Sequence, residues 1–243
     1  LGVGHIVTVD EKRISKSNRA RLVGATDNDV SSRPPTKKVD IAARVARAAN
    51  PRIVYESYFD NFAKDTIARK FSDCDFLFLA ADSMQARLVF NALVQQYLIP
   101  GIQTGSKVTV GRNGELTDIF SVCRWVLPEH GCLWCNGLIP RDLLAMEAKS
   151  AEARKEQTYG TLQENPSVVT LNAVTAGHAA NDFMMAYLGL IEKTATIDYQ
   201  RYDHLHRRVL YDQPRRDLNC SECGSRAKSR LGMGDATPLP TID

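Results

Sequence analysis

No stretch of this sequence approaches the roughly 20 consecutive apolar residues that a helix needs to cross a bilayer. The longest apolar runs, around Phe76–Ala81 and Val168–Val174, have the length of a strand or a buried helix segment. An excess of one charge is missing too: 31 Lys and Arg against 28 Asp and Glu leave a net +3, too little by itself to mark a nucleic-acid surface. Compositional bias is absent, with 44% hydrophobic and 24% charged residues, which excludes a disordered or collagen-like chain. Six cysteines in 243 residues are too sparse for a small disulfide scaffold. There is no internal repeat and no linker-like segment, and no basic leader precedes an apolar stretch in the manner of a signal peptide. We therefore expect a soluble, cytoplasmic protein. Residues 1–230 should form a single domain, and 231–243, with Gly and Pro and little apolar content, a flexible tail.

What is present begins with His5-Ile-Val-Thr-Val-Asp10, an alternating, β-branched strand that ends in an acid. In nucleotide-binding α/β domains a glycine-rich phosphate loop precedes such a unit, so an upstream segment is expected. A helix is predicted over Lys37–Ala49, with Val39, Ala42, Ala43 and Ala46 on its apolar face and Pro51 as its stop. Arg52–Phe59 reads as a strand and Asn61–Phe71 as a short helix. Asp75–Ala80 reads as a strand covered on both faces, and Ser83–Tyr97 as a helix with Pro100 beyond it. Ile99–Gly105 and Asp118–Val126 complete an α/β pattern of βαβ units with a mostly parallel sheet. Further along, Arg141–Gln157 is helix-prone and exposed in character. Pro166–Ile191 predicts a long, buried, nearly uncharged helix, and Ala195–Tyr211 alternates like strand.

Cys132-Leu-Trp-Cys135 and Cys220-Ser-Glu-Cys223 are two CxxC knuckles separated by 84 residues. Four thiolates so arranged suit a tetrahedral structural zinc with no open coordination position. Such a metal would pin the C-terminal segment back onto the main domain. A redox pair or two unligated pairs are the alternatives, and a redox role leaves the second pair unexplained. Cys74 and Cys123 lie beside or within predicted strands and read as small core hydrophobes.

An acid at a strand's C-terminal end, such as Asp10, is where α/β folds bind a ribose hydroxyl. Asp82 follows the next apolar strand, and Ser17-Asn18, Arg21 and Lys37-Lys38 offer polar and cationic groups in between. One acid for ribose, one for magnesium and cations for phosphates would make an ATP site. Taken singly, each residue has a bland reading as a helix cap or a solvated charge.

The order Asp10, Ser17-Asn18, Arg21, Lys38 ahead of Asn50-Pro51, Asp82 before Ser-Met-Gln-Ala-Arg87, then CxxC twice, resembles the ThiF/MoeB/HesA adenylyltransferases, bacterial relatives of ubiquitin-activating enzymes. The likeness runs from Gly2-Val3-Gly4 to about Gly224 and includes Pro166–Gly177. It implies a Rossmann-like fold whose mostly parallel central sheet is extended by antiparallel strands and carries a structural zinc. It further implies an ATP- and Mg2+-dependent enzyme that adenylates the C-terminal glycine of a small ubiquitin-like or sulfur-carrier protein, acting as a homodimer. By the resemblance Asp10 binds ribose, Asn18, Arg21 and Lys38 contact the triphosphate, Asp82 holds magnesium, and Cys132, Cys135, Cys220 and Cys223 hold zinc. Arg21, Lys38 and Asp82 would be the catalytic set. The sequence departs from the family pattern at Lys12, where a second Asp is usual, at Arg19 and Leu22, and at Ala81 and Ser83, which stand for Thr and Asn. No cysteine lies between Cys135 and Cys220, so the chain is expected to stop at the acyl-adenylate or pass it to a separate thiol protein.

His204 and His206 would share one strand face, but without a third ligand nearby they read as solvated. His178 reads as hydrogen-bonded core, and His130 lies beside the first knuckle. Arg215, Arg216, Arg226, Lys228 and Arg230 surround the second knuckle. They motivate a tRNA-modifying adenylating dehydratase as the alternative reading, although no membrane or nucleic-acid partner is the expectation. A zinc-stabilised scaffold without activity comes next, and a nicotinamide-dependent dehydrogenase, which leaves Arg21, Lys38 and Asp82 without roles, comes last.

Overall fold

The alternating stretch at the start of the chain forms β1 (His5–Val9), which pairs in parallel with β2 (Val54–Tyr58), His5 opposite Val54 and Val9 opposite Tyr58. These strands belong to the computed structural model of the protein, which describes residues 2–111, 113–149, 168–192, 198–226 and 228–242. The chain divides into two units, Leu1–Phe71 with Ile242–Asp243 and Ser72–Thr241.

In the first unit a parallel pair demands a crossover, and α1 (Lys16–Arg19), α2 (Asp27–Ser31) and α3 (Lys38–Ala49) supply it. Val39 and Ala43 are buried on α3 as the periodicity predicts, but Ala42 is exposed and Ile41 is buried completely. The reason is a second covering segment. Gly24, at φ +78°, abuts Val45 and approaches Ile41, so the helix is covered on a side that pattern alone assigns to solvent. A side chain at Gly24 would collide with Val45. Next to this contact Asp29 is 4% exposed and receives Arg44 Nη1 at 3.0 Å and Nη2 at 2.7 Å. The Arg44 guanidinium, ahead of Thr26, holds the Asp29 carboxyl well below the usual carboxylate range. The helix expected over Asn61–Phe71 shrinks to α4 (Asp65–Ala68) and a 3-10 turn through Phe71.

In the second unit β3 (Leu77–Leu79) pairs in parallel with β4 (Gly101–Val110), with α5 (Met84–Tyr97) between them. β4 then runs antiparallel to β5 (Leu116–Val126), β5 to β6 (Tyr199–Asp203), and β6 to β7 (Arg208–Asp212). The expected α/β class, parallel pairing and antiparallel extension are all present. Asn113-Gly114 marks the β4–β5 turn, where Gly111 N donates to Glu115 O at 2.7 Å. That dipeptide is a hairpin signal, and both strands extend further toward it than the apolar pattern suggests. α6 (Arg141–Glu147) occupies the first part of the predicted exposed helix, whose remainder, 150–157, lies outside the described residues.

Two burial expectations are corrected. β3 is covered on one side only: Leu77 and Leu79 are buried, whereas Phe78 is 53% exposed. α7 (Val169–Tyr187) forms within the predicted long helix but is not buried all round. Thr175 and Ala179 are its buried residues, and Tyr187 is 73% exposed. α7 rests one face on β4 and β5, through Ser106 Oγ to Asn172 Oδ1 (2.6 Å) and Ser121 Oγ to the Leu171 carbonyl (3.2 Å). Ile102, Cys123, Trp125 and Ala179 form the core there, and no described element covers the opposite face.

The expected flexible tail makes specific contacts instead. Gln96 Nε2 donates to the carbonyls of Gly234 and Thr237, Gln85 Nε2 donates to Pro240 O at 2.6 Å, and Leu239 is buried. The buried Gln96 and the half-buried Gln85 of α5, amides that composition cannot assign to a partner, are what hold this segment.

Candidate functional site

At the end of β1, Asp10 N donates to Tyr58 O at 3.2 Å, which fixes the acid at the strand's C-terminal edge. Its Oδ1 accepts from Lys12 N at 2.7 Å, and its Oδ2 lies 3.9 Å from Lys38 Nζ. Lys38 is brought there by its own backbone, whose N–H donates to the Lys12 carbonyl at 3.1 Å. The Asp10–Lys38 pair is partly exposed and at the edge of ion-pair range, so it contributes little stability. Asn18 Oδ1 accepts from Ser15 N at 2.9 Å and closes the start of α1, leaving its amide nitrogen without a partner among the described residues. Arg21 is exposed, and its guanidinium likewise meets no described residue. Arg13 and Lys37 stack over the Phe59 ring at 4.9 and 4.7 Å, two further cations near this edge that spacing alone does not single out.

In the second unit Asp82 is exposed between β3 and α5 and forms no ion pair among the described residues. Ser83 caps α5, its Oγ accepting from Ala86 N at 3.0 Å. The next two N–H groups, of Met84 and Gln85, donate to the Glu147 carboxylate at 2.7 and 2.9 Å. A carboxylate on α6 thus occupies the positive end of α5, a role with no local signal, since 63 residues separate Glu147 from Met84. One turn along α5, Arg87 Nη1 donates to the Leu138 carbonyl at 2.9 Å.

The four knuckle cysteines do converge. All four Sγ atoms lie within 4.8 Å of one another, with Cys132–Cys220 at 3.8 Å and Cys135–Cys223 at 3.5 Å. A tetrahedral zinc with Zn–S bonds of about 2.3 Å needs sulfurs about 3.8 Å apart, so the cluster fits that ion. Cys132, Cys220 and Cys223 are buried. Burial pushes the Cys135 thiol up to about 11, and the neighbouring Cys223 together with burial raises Cys132 as well, so a cation is what would keep these thiols ionised. Gly224 is required by close approach: a Cβ there would lie 2.5 Å from the Cys220 carbonyl. Asn91, fully buried on α5, joins the two knuckles. Its Oδ1 accepts from Leu133 N at 2.9 Å and its Nδ2 donates to Glu222 Oε2 at 3.5 Å.

The remaining candidates have structural employment. His204 bonds Ser121 Oγ at 2.8 Å, whereas His206 turns to Asp203 at 2.8 Å, so the two share no site. His178 meets the Tyr202 hydroxyl at 2.7 Å, and His130 bonds its own loop at Pro128 O. Cys123 is buried beside Asp182, and burial first, then that carboxylate, pushes its thiol up to about 12, which suits a core residue and not a nucleophile.

A model of the ThiF family matches residues 1–224. The chain belongs to the ThiF family. Solved structures with the same fold include the microcin C7 biosynthetic enzyme MccB in complex with N-formylated MccA, at 18% identity and a TM-score of 0.71, over 92% of this chain and 61% of that one. E. coli MccB with ATP gives 19% identity and a TM-score of 0.68 over 92% and 60%. PaaA gives 17% and 0.61 over 87% and 57%. This ThiF-family chain therefore spans about three-fifths of the length of those proteins, and at such identities the likeness shows the fold. A search of curated protein sequences gives no match. Among the described residues no helix is long and apolar enough to cross a membrane.

Proposed function

We propose that this chain is an ATP-dependent adenylyltransferase. It activates the C-terminal glycine carboxylate of a ubiquitin-like or sulfur-carrier protein as an acyl-adenylate and releases pyrophosphate. The observation that carries the reading is the pairing of Asp10 with Lys38 at the end of β1 in a chain matched by the ThiF family over residues 1–224. Each Asp10 oxygen keeps a lone pair for a ribose hydroxyl. Lys38 gives up little in turning from a 3.9 Å pair to a phosphate, and Arg21 and the Asn18 amide have donors unspent. Asp82, exposed and without an ion pair among the described residues, can offer a carboxylate oxygen to magnesium, which is commonly held by one or two carboxylates plus substrate phosphates. That ion would neutralise phosphate charge.

In the reaction a carboxylate oxygen bonds to the α-phosphorus while the bond to the bridging oxygen of the β-phosphate breaks. Both reactants are anions, so Arg21 and Lys38 would offset their repulsion and the charge on leaving pyrophosphate. The nucleophile is ionised at neutral pH and needs no general base. The absence of a cysteine between Cys135 and Cys220 supports release of the acyl-adenylate to a separate thiol protein. The uncovered face of α7, with Tyr187 exposed, and the exposed Phe78 of β3 support a homodimer. Arg230 is occupied by Glu222 and by the Pro238 carbonyl, which takes one cation from the basic cluster and favours a peptide or protein substrate over tRNA.

Incubation with Mg-ATP and small proteins or peptides ending in Gly, read by mass spectrometry, tests the reading. The expected result is a substrate carrying one AMP group with stoichiometric pyrophosphate. ADP and phosphate as the products, or no turnover with any carrier while tRNA is adenylated, would overturn it.

A further inference from the structure

Strand register brings three polar side chains into one row on the sheet of the second unit. Gln103 on β4 stands opposite Arg124 on β5, and Arg124 stands opposite Tyr199 on β6. Directly opposed residues share a sheet face. Their neighbours Cys123 and Trp125 take the other face, where both bond Asp182 of α7. Within the row Arg124 Nη1 donates to Gln103 Oε1 at 2.7 Å, and its guanidinium lies 6.0 Å from the centre of the Tyr199 ring. Tyr199 is 6% exposed, yet its hydroxyl has no hydrogen-bond partner among the described residues. Arg87 of α5 acts on Arg124 through space, and its Nε is buried without a partner among the described residues.

Among the described residues no carboxylate is bonded to this cluster, although the thiols of Cys132, Cys135 and Cys223 act on Tyr199 through space. Three other arginines have carboxylate partners: Arg44 with Asp29, Arg230 with Glu222, and Arg201 with Asp118. Neither Arg87 nor Arg124 has an ion-pair partner among the described residues. Asp82 and Glu147 act on Arg87 through space, and Asp212 acts on Arg124, all without bonding them. Burial first, then the proximity of Arg87, pushes the Arg124 guanidinium down to about 10, and burial lowers Arg87 as well. Two like charges drawn out of water beside a buried hydroxyl donor form an arrangement that an anion relieves and a neutral ligand does not. The planar guanidinium fork matches a carboxylate in two-point fashion. No glycine-rich backbone cradle lies in this row, and the cations ascribed to the triphosphate, Arg21 and Lys38, belong to the first unit.

We propose that Arg87, Arg124 and Tyr199 form a binding pocket for a carboxylate at or beside the C-terminus of the peptide or protein that this chain adenylates. Gln103 is a positioning residue that aims Arg124. The assignment of the pocket to the peptide substrate rests on the adenylation reading above, whereas its affinity for a carboxylate does not.

Calorimetric titration of the full chain, zinc-loaded and free of ATP, provides the test. The probes are acetyl-Gly-Gly, acetyl-Asp-Gly-amide, the neutral acetyl-Gly-Gly-amide, and inorganic pyrophosphate. At least one of the two carboxylate peptides should bind, with the neutral amide failing to bind. The terminal carboxylate is the ligand if acetyl-Gly-Gly binds, and an acidic side chain is the ligand if acetyl-Asp-Gly-amide binds. Arg124→Met should weaken that binding at least tenfold and Tyr199→Phe severalfold. Arg124→Met should also keep its zinc, which separates a lost binding site from a lost fold. Tyr199→Phe, nearly isosteric, keeps the test alive if Arg124→Met fails to fold. Equal binding of the neutral amide, unchanged affinity in both variants, or pyrophosphate as the one probe that responds to the substitutions would overturn the proposal. Carboxylate binding in this ATP-free titration, with no acyl-adenylate formed in the separate Mg-ATP incubation, would sink the adenylation reading alone. Adenylation with unaltered peptide binding in both variants would sink the pocket alone.

Discussion

At the end of β1, Asp10, Asn18, Arg21 and Lys38 keep lone pairs, donors and charge uncommitted, whereas around α5 the knuckle residues and buried amides spend theirs on one another. The contrast is visible in single contacts. Lys38 stands 3.9 Å from Asp10 in partly exposed surroundings, while Asn91, fully buried, bridges Leu133 N and Glu222 across the two knuckles. Glu222 passes the link to Arg230, and Arg230 to Gln96 and the Pro238 carbonyl. A site that must exchange substrates cannot satisfy itself, and a cluster that fixes the chain must. The cluster of Arg87, Arg124 and Tyr199 is the instructive exception. It is buried like the second cluster but unsatisfied like the first, which is why it reads as a place for a ligand.

The difference can be broken from the structural side first. A closed four-thiolate zinc site contributes on the order of 10 kcal/mol of metal-binding free energy, so stripping the metal with a chelator should lower the melting temperature more than the loss of any single side chain. A melting trace unchanged after metal removal would separate the four cysteines from stability. Next in size, Asn91→Ala leaves Leu133 N and one Glu222 oxygen without their partner, and should cost about 2–3 kcal/mol by chemical denaturation. A loss below about 0.5 kcal/mol would show that α5 does not tie the knuckles together.

In the first unit Asp29→Asn should cost about 2 kcal/mol, since it removes a charge-assisted pair to Arg44 whose acidic partner is buried. The pH dependence has a definite sign. The carboxyl is held below its ordinary value in the folded chain, so its stabilisation is complete above the unfolded pKa of about 4 and is lost as pH falls toward the lower folded value. The parent should therefore lose its advantage over Asp29→Asn as a titration of stability proceeds from pH 5 downward. A difference between the two that stays constant with pH would contradict the assignment.

Much of this organisation is legible in the residues. Alternation gives β1, helical spacing gives α3 and α5, and paired CxxC knuckles give the thiol cluster. What composition could not supply depends on which surfaces meet. Ile41 is buried because Gly24 approaches α3 from the far side, and α7 is apolar yet half uncovered because one sheet face is all it rests on. The Gln103–Arg124–Tyr199 row exists through strand register, which local pattern does not specify across the hairpin and the long connection to β6. Glu147 at the start of α5 is likewise a tertiary fact. Of the residues proposed to bind the nucleotide, order and spacing carried Asp10 and Lys38 to one place. Arg21 and Asp82 remain assigned by family resemblance and by being unspent.

The central claim is that uncommitted groups serve substrates and committed ones serve the fold, and Asp82→Ala tests it most directly. ATP–pyrophosphate exchange and thermal unfolding are measured together on the parent and the variant, with a carrier protein ending in Gly present. The account predicts that exchange falls by about two orders of magnitude or more, the scale of losing a preorganised electrostatic contact to the reacting phosphates, while the melting temperature is unchanged. Exchange that survives in the variant, or a loss of stability as large as that of Asn91→Ala, would contradict it.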